Sequence, residues 1–368
     1  MKAMAAEGKP IRTSIIRNVK RIIDCQDPKK GYALYICEKC STFKQVYFTC
    51  KSRFCNTCGA KYSKDRALSI SAKLIDSSHR HVVFTIPEEL RKYFAHNRTL
   101  LNLLFQAAAN TILYCFKMRN KSENYIPGMV CVLHTFGRDL KWNPHIHMIL
   151  CEEAVGNSGK WLKFSHINYE SLRRSWQYSI LKLLSESNPD PSFKALVDKL
   201  YADHKAGFYV NAPPVKNFSL GVVHYIVRYV GRPVLAQSRI IDYDGEFVSF
   251  TYTPHGSTEE ETERLTVFDF IKSLIIHIPD YDFKMIRYFG FYNEKHSKFN
   301  QYKLRRKRIT SSMLSALRNA HKYWHSRIRY YFNYDSLKCN CGGQMSFVEL
   351  FLPSSKTNPF MSYSWVGS

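Results

Sequence analysis

Three short runs of apolar and β-branched residues predict the strands of one sheet. They lie at residues 81–87, 129–134 and 145–150, and Pro87 ends the first of them. A turn pattern at residues 136–139 separates the second run from the third. We therefore expect these two strands to form an antiparallel hairpin.

Apolar residues spaced three and four positions apart predict helices between and around these strands. The predicted helices lie at residues 15–23, 65–78, 100–116, 169–184, 193–201, 221–230 and 265–276. Residues 240–253 predict a further hairpin around Asp244-Gly245, and the acidic run at residues 259–263 predicts a loop. Helices mixed with antiparallel strands indicate an α+β fold.

The charge of the chain indicates its partner. Among 368 residues, 54 Lys and Arg stand against 30 Asp and Glu, and this net charge of +24 favours phosphate backbone as the ligand. The 24 Tyr, 24 Phe and 5 Trp supply rings that can stack on unpaired bases, although most rings fill cores. No secretory signal pattern is present and no apolar run predicts a membrane span, so we expect a cytoplasmic protein. Eleven cysteines in such a chain indicate zinc or free thiols rather than disulfides.

Two histidines on the third predicted strand are the first candidates for chemistry. His145 and His147 are two residues apart, so their imidazoles share one face of the strand and supply half of a metal site. His79 and His81 have the same spacing, but they open a strand instead of lying within one. The predicted hairpin brings His134 close to the central pair, which makes it the candidate third ligand. A core histidine bonded to the backbone explains His134 equally well.

Two Cys-x-x-Cys pairs predict a zinc site near the amino terminus. Cys37 and Cys40 form the first pair, and Cys55 and Cys58 form the second after a 14-residue gap. Each tight turn presents two thiolates, and four thiolates suit tetrahedral zinc. The competing interpretations are buried thiols or a redox pair.

Other cysteines complicate this assignment. Cys25 and Cys50 lie close to the two pairs along the chain, and either can replace or supplement a ligand. Near the carboxyl end, Cys339 and Cys341 resemble a zinc-binding turn shortened by one residue. The sequence offers this last pair no neighbouring partner, so the pair does not by itself predict a metal site.

Two tyrosines on the predicted helix at residues 221–230 are candidate nucleophiles. Tyr225 and Tyr229 are four residues apart and therefore point the same way. The spacing is not specific, because rings packed on a core show it too. It recurs in two other pairs, Tyr288 with Tyr292 and Tyr330 with Tyr334.

A basic run follows the last predicted element and is a candidate DNA contact. Its cations are Lys303, Arg305, Arg306, Lys307 and Arg308. Such a run suits contact with phosphates, and it is equally typical of a solvated surface.

Taken in order, these motifs resemble one family over roughly residues 25–295. The four-cysteine segment, "HVVFTIPEEL", "LHTFGRDLKWNPHIHMIL" and "YIVRYVGRP" are similar to the HUH-type two-tyrosine transposases of rolling-circle insertion sequences. The resemblance implies that His145 and His147 are the metal-binding pair and that Tyr225 and Tyr229 are the nucleophiles. Asn143 departs from the pattern, since relatives often carry another histidine at that position.

The resemblance also implies a fold and a reaction. The fold is an HUH-endonuclease (ferredoxin/RRM-like) antiparallel sheet with packed helices, preceded by a small zinc-binding module. "HIPDYDFKMIRYFGFY" matches the downstream block of the family, which excludes Tyr288 and Tyr292 as nucleophiles. The implied reaction nicks single-stranded DNA at element ends through a 5′-phosphotyrosine, with Mg²⁺ or Mn²⁺ as catalytic ion and Zn²⁺ as structural ion. Strand transfer to target DNA then needs no nucleotide cofactor.

These expectations divide the chain into three segments. We predict a zinc-binding, DNA-contacting domain at residues 1–70, the catalytic domain at 71–298 and a basic carboxy-terminal tail at 299–368. Two alternatives stay open at this point. A replication initiator or relaxase would use the same nicking chemistry, and a non-catalytic zinc-dependent DNA-binding protein would explain the charge and the cysteines alone.

Overall fold

The computed structural model describes residues 11–164, 166–213, 234–254, 256–306, 322–353 and 360–363. The chain divides into a first unit, residues 1–68 with 312–368, and a second unit, residues 69–311. The division is discontinuous in sequence, because the two ends of the chain belong to the same unit.

The described residues form helices and strands that are interspersed along the chain. The helices are α1 Thr13–Ile23, α2 Asn56–Ser71, α3 Glu88–His96, α4 Leu101–Arg119, α5 Tyr169–Ser187, α6 Pro191–Asp203, α7 Val267–Ile275, α8 Phe299–Arg306 and α9 Trp324–Phe332. The strands are β1 Tyr32–Cys37, β2 Phe43–Tyr47, β3 His79–Phe84, β4 Ile126–Phe136, β5 Trp142–Val155, β6 Trp161–Lys163, β7 Val210–Asn211, β8 Ile240–Tyr243, β9 Phe247–Tyr252, β10 Glu261–Thr266, β11 Ile286–Gly290, β12 Met345–Pro353 and β13 Phe360–Tyr363.

The first unit is built on an antiparallel sheet with the strand order β13-β12-β1-β2. β1 pairs with β2 through a tight hairpin, and on its other side Tyr32 lies opposite Phe351 of β12. Strands from the two ends of the chain therefore complete one sheet. The predicted domain boundaries near residues 70 and 298 remain predictions; residues 312–368 belong to the first unit, and α8 belongs to the second.

The main sheet of the second unit has the order β11-β4-β5-β3-β7, with β6 also paired to β5. Its pairings are antiparallel, and β5, the central strand, is 14 residues long. The turn from β4 to β5 is closed by a hydrogen bond of 2.9 Å from the Gly137 N–H to the Lys141 carbonyl. A closed turn of this kind fixes the register of a hairpin, and it confirms the predicted pairing of these two strands.

Helices α3 to α6 supply most of the core that packs on this sheet. Leu133 of β4 and Met148 of β5 are fully buried in a cluster with apolar side chains of all four helices. Burying a side chain of this size contributes roughly 1.5–3 kcal/mol relative to leaving it in water. Since successive strand residues point to opposite faces, the even-numbered residues of β5 fill the core and leave His145 and His147 on the other face.

One helical segment among the described residues, Arg98–Arg119, is long and apolar enough to cross a membrane. Half of its most apolar window is buried inside the protein. Leu104, Phe105 and Ile112 of this segment are fully buried in the core of the second unit. The apolar residues of this segment thus pack as those of a core helix do.

A small second sheet in this unit, ordered β10-β9-β8, corrects one sequence prediction. The acidic run at residues 259–263 was expected to be a loop, but Glu261 already begins β10 and lies opposite Tyr252. The side chains of β10 alternate between exposed and half-buried, as an edge strand allows. Asp244 closes the predicted β8–β9 turn by accepting hydrogen bonds from two backbone N–H groups, and Gly245 adopts a positive φ of 99°.

Antiparallel sheets with packed helices confirm the predicted α+β fold class, and the cysteines of the first unit are arranged as in a zinc-binding module. The described part of the chain therefore brings candidate ligands together in both units, cysteines in the first and histidines in the second.

Candidate metal centres and active site

Three histidines on two neighbouring strands form the candidate active site of the second unit. His134 of β4 lies directly opposite His145 of β5, and His147 shares the face of His145. One ring nitrogen from each of the three lies within 4.8 Å of the others. The structure therefore brings the predicted pair and the predicted third ligand together. Within the described residues, this group contains imidazoles only.

The ring nitrogens are oriented by hydrogen bonds. His145 donates from Nδ1 to the carbonyl of Asn143 at 2.7 Å, so in the neutral ring Nε2 is the nitrogen that carries the lone pair. The Nε2 atoms of His145 and His147 are 3.0 Å apart. Two ligands at right angles on an ion, each about 2.1 Å from it, are about 3.0 Å apart, so this separation fits two neighbouring positions of an octahedral ion.

His81 is a candidate site residue that the sequence analysis did not select. It lies on β3, the other neighbour of β5, and its Nε2 is 2.8 Å from Nδ1 of His147, with the two rings stacked. A hydrogen bond of this kind fixes the tautomer and the orientation of a metal-binding imidazole. The signal was present in the second His-x-His pair, but the sequence did not show that β3 lies beside β5.

Burial favours the neutral form of two of these imidazoles. It lowers the pKa of His81 to about 4 and lowers the pKa of His145 below its ordinary value of 6.5. Neutral imidazole is the form that binds metal ions. His145 therefore needs to lose no proton at neutral pH before it could act as a ligand.

Tyr292 is held in the protein interior. It is 4% exposed, its hydroxyl lies 2.8 Å from Nε2 of His79, and it accepts the backbone N–H of Ile75 at 3.2 Å. Burial raises its pKa well above the ordinary value of 10. Tyr288 lies under the ammonium group of Lys73, 4.4 Å from its ring centroid. These contacts suit structural roles and agree with the exclusion of both tyrosines as nucleophiles.

The predicted nucleophiles Tyr225 and Tyr229 lie outside the described residues, as do Lys307 and Arg308 of the basic run. Lys303 is exposed on α8, with its ammonium group 4.8 Å from the ring centroid of Phe299. Arg305 and Arg306 belong to the same helix. The DNA-binding role of this run remains a prediction.

The first unit holds four cysteines that we call the upstream cluster: Cys25, Cys50, Cys55 and Cys58. Sulfur–sulfur distances in this cluster are 3.6–3.7 Å. Four sulfurs placed tetrahedrally about 2.3 Å from zinc are about 3.8 Å apart, so the cluster fits the ion. Burial raises the pKa of the Cys25 thiol, and the N–H of Cys50, which donates to this sulfur at 3.4 Å, opposes that rise.

A second group of four, which we call the closing cluster, joins both ends of the chain: Cys37, Cys40, Cys339 and Cys341. The sulfurs of Cys37 and Cys341 are 3.5 Å apart, and those of Cys40 and Cys339 are 3.7 Å apart. Hydrogen bonding to Thr42 lowers the pKa of the Cys40 thiol to about 6, which favours the thiolate that metals bind.

The two clusters replace the single four-cysteine site expected from the sequence. The structure does not bring Cys37 and Cys40 together with Cys55 and Cys58, because the first pair lies at the β1–β2 turn and the second at the start of α2. Each pair instead has its own partners. Cys25 and Cys50 complete one group, and the carboxy-terminal pair completes the other.

Both regions match known proteins. A family profile described as "Transposase zinc-binding domain" matches residues 1–86, and one described as "Putative transposase" matches residues 128–299. The chain is 30% identical over 295 residues to the transposase for insertion sequence element IS801 of Pseudomonas savastanoi pv. phaseolicola, covering 76% of this chain and 71% of that protein. It is 25% identical over 323 residues to the "Putative transposase y4qJ" of Sinorhizobium fredii, covering 80% and 78%. No solved structure matches the chain.

The first profile spans every residue of the upstream cluster, and the second spans the three clustered histidines and both candidate tyrosines. The chain therefore belongs to the HUH-type two-tyrosine transposases of rolling-circle insertion sequences, with an amino-terminal zinc-binding domain.

Proposed function

We propose that this transposase nicks single-stranded DNA at the ends of its insertion sequence and transfers the strand through a 5′-phosphotyrosine. The observation that carries the proposal is the clustering of His134, His145 and His147 on one sheet face. Three imidazoles supply only part of a coordination sphere, which is the arrangement of a reactive rather than a structural site.

The three histidines would hold one divalent ion. An all-nitrogen donor set favours Mn²⁺ over Mg²⁺, because imidazole is a softer ligand than the oxygens that Mg²⁺ prefers. When bound, the ion polarises the scissile phosphate and stabilises the charge that develops on its oxygens. His81 would hold the ring of His147 in the orientation that metal binding needs.

The tyrosines Tyr225 and Tyr229 would supply the nucleophile. The hydroxyl oxygen of one attacks phosphorus, the bond from phosphorus to the 3′ oxygen breaks, and the proton lost by the tyrosine ends on the freed 3′-hydroxyl. The phosphotyrosine keeps the energy of the broken bond, so a 3′-hydroxyl of another strand can reverse the step and reseal the DNA without ATP. Two tyrosines allow one DNA end to be held while another is cut.

The overall charge supports DNA as the substrate. The net charge of +24 attracts the phosphate backbone before any specific contact forms, and this attraction weakens as salt rises. Exposed Lys303 and its basic neighbours on α8 are candidates for contact with the backbone. We place the reaction in the cytoplasm, where such an element resides.

A covalent-adduct assay tests this function. Purified protein is incubated with Mn²⁺ and labelled single strands tiled across the element ends, and products are separated on a denaturing gel. We expect a shifted band that disappears in the double variant Tyr225→Phe with Tyr229→Phe. The matched control is Tyr330→Phe with Tyr334→Phe, two half-exposed tyrosines with the same spacing, and it should keep the band.

Two results would contradict the proposal. One is an adduct that survives in the Tyr225 and Tyr229 double variant, which would move the nucleophile elsewhere. The other is DNA binding without any adduct under Mn²⁺ or Mg²⁺, which would favour a non-catalytic DNA-binding protein.

A further inference from the structure

We propose that the closing cluster is a second structural zinc site, which links the carboxyl end of the chain to the amino-terminal hairpin. Its four sulfurs come from positions up to 304 residues apart, yet they lie within 4.8 Å of one another. The profile of the zinc-binding domain ends at residue 86 and includes only Cys37 and Cys40 of this set. The site is therefore distinct from the upstream cluster.

The sulfur geometry is that of four ligands around one ion. The distances of 3.5 and 3.7 Å are close to the edge of about 3.8 Å expected for tetrahedral zinc. They are far longer than the bond of about 2.05 Å that joins two sulfurs in a disulfide. Thiolates are soft ligands, and four of them favour zinc over Mg²⁺, Ca²⁺ or Mn²⁺.

The backbone around the carboxy-terminal pair is shaped for this cluster. The turn after Cys339 is closed by hydrogen bonds from Gly342 N–H to the Cys339 carbonyl at 2.9 Å and from Cys339 N–H to the Gly343 carbonyl at 2.8 Å. The Gly343 N–H lies 3.4 Å from the Cys341 sulfur. A Cβ on Gly343 would lie 2.8 Å from the Cys37 sulfur, so only glycine lets the turn approach this closely.

A zinc ion in the closing cluster would stabilise this part of the first unit, because the apolar core beside it is small. The cluster packs with Tyr35, Leu337 and Met345, and few other buried residues join them. Small modules with little apolar core depend on metal ions or disulfides for stability. Zinc in the closing cluster would hold β12 on β1 and keep the two ends of the chain together.

Zinc stoichiometry of the full-length protein tests the proposal. We expect two zinc ions per chain by elemental mass spectrometry. Cys339→Ser should release one, Cys55→Ser should release the other, and the combination should leave none. The matched control is Cys115→Ser, a half-buried cysteine outside both clusters, which should keep both ions.

Two further variants separate loss of a ligand from misfolding. Cys341→His keeps a zinc ligand at an exposed position, so it should retain the second ion where Cys341→Ser loses it. Gly343→Ala changes no ligand but places a methyl group against Cys37, and it should weaken the same site. Amide hydrogen exchange should rise in β12 of Cys339→Ser and stay unchanged there in Cys115→Ser.

Several outcomes would overturn the second site. They are one zinc per chain in the wild-type protein, two zinc ions retained by Cys339→Ser, or a disulfide between cysteines of the closing cluster under non-reducing conditions. A nicking activity that is lost or kept does not decide the matter, since the count of zinc ions is independent of catalysis.

Discussion

The cysteine clusters of the first unit and the histidine cluster of the second differ in how many ligands they offer. Each cysteine cluster has four sulfurs at nearly tetrahedral separations, so a bound zinc ion would have no free position. The histidine cluster has three nitrogens, and a bound ion would keep positions for phosphate oxygens. The number of donors alone separates a stabilising site from a reactive one.

The two kinds of site also differ in what positions their ligands. The cysteines lie on turns and at the ends of helices and strands, where a bound zinc ion would hold the chain together. The imidazoles of His134, His145 and His147 lie on adjacent strands, whose backbone hydrogen bonds fix them before any metal binds. Sites on regular strands are more precise than sites on loops, and precision is what a nicking reaction requires.

The largest expected effect separates the two kinds of site directly. His145→Ala removes one of the three imidazoles, so we expect adduct formation to fall at least about 1,000-fold, or roughly 4 kcal/mol of transition-state stabilisation. The zinc content should not change, because the cysteine clusters are intact. The measurement is the rate of adduct formation with Mn²⁺, together with zinc analysis of the same preparation.

His96→Ala is the matched control for this variant. His96 is exposed at the end of α3, where it bonds only to the Lys92 carbonyl among the contacts described, and its removal should leave the rate unchanged. A His145→Ala protein that keeps its rate would show that the histidine cluster is not the reactive site.

The sequence predicted the histidine site better than the cysteine sites, and the reason is chain separation. His134 and His145 belong to one hairpin whose short turn fixes the register, so local pattern was enough to place them opposite each other. Cys37 and Cys341 meet across 304 residues, and no local pattern encodes which distant turn will lie beside another. The sequence therefore predicted that Cys37 shares a zinc site with Cys55, which is nearer along the chain.

The same argument explains the residues missed in the second unit. His81 lies on β3, and the order of strands in a sheet is set by how the helices cross over, which periodicity does not reveal. The sequence predicted a loop at Glu261 and Glu263 because these residues are charged. The structure has a strand there, since an edge strand tolerates exposed charged side chains. Composition and period predicted most individual elements and one hairpin, while neighbour relations between strands far apart in the chain required the structure.

A smaller effect is expected from the residue that orients a ligand. His81→Ala removes the partner of His147 Nδ1 without removing a ligand, so we expect the Mn²⁺ concentration for half-maximal activity to rise about 10–100-fold. Activity at saturating Mn²⁺ should largely recover. His81→Gln keeps a hydrogen-bonding side chain and should lie between the two proteins.

A different pattern would revise this assignment. An unchanged Mn²⁺ requirement with a lower maximal rate would place His81 in contact with DNA instead. Equal loss in the Ala and Gln variants would indicate that the ring packs against His147 and that the hydrogen bond is not what matters.

The smallest expected effect is a loss of folding stability at low pH, caused by the buried imidazoles of the second unit. Burial lowers the pKa of His79 from the ordinary 6.5 to about 4. Between pH 6.5 and pH 4 the unfolded chain therefore binds more protons than the folded protein does. The free energy of unfolding keeps its full value above about pH 6.5 and falls as the pH drops towards 4. For His79 the loss is roughly 2 kcal/mol from pH 7 to pH 5.

His79→Gln cannot take up the proton, so urea unfolding of this variant should show a pH dependence that is weaker by that amount. Tyr292→Phe, which removes the hydroxyl beside His79 but leaves the imidazole, should keep the wild-type slope. Equal slopes in wild type and His79→Gln would mean that the pKa of His79 is the same in the folded and unfolded protein, which would contradict the expected effect of burial.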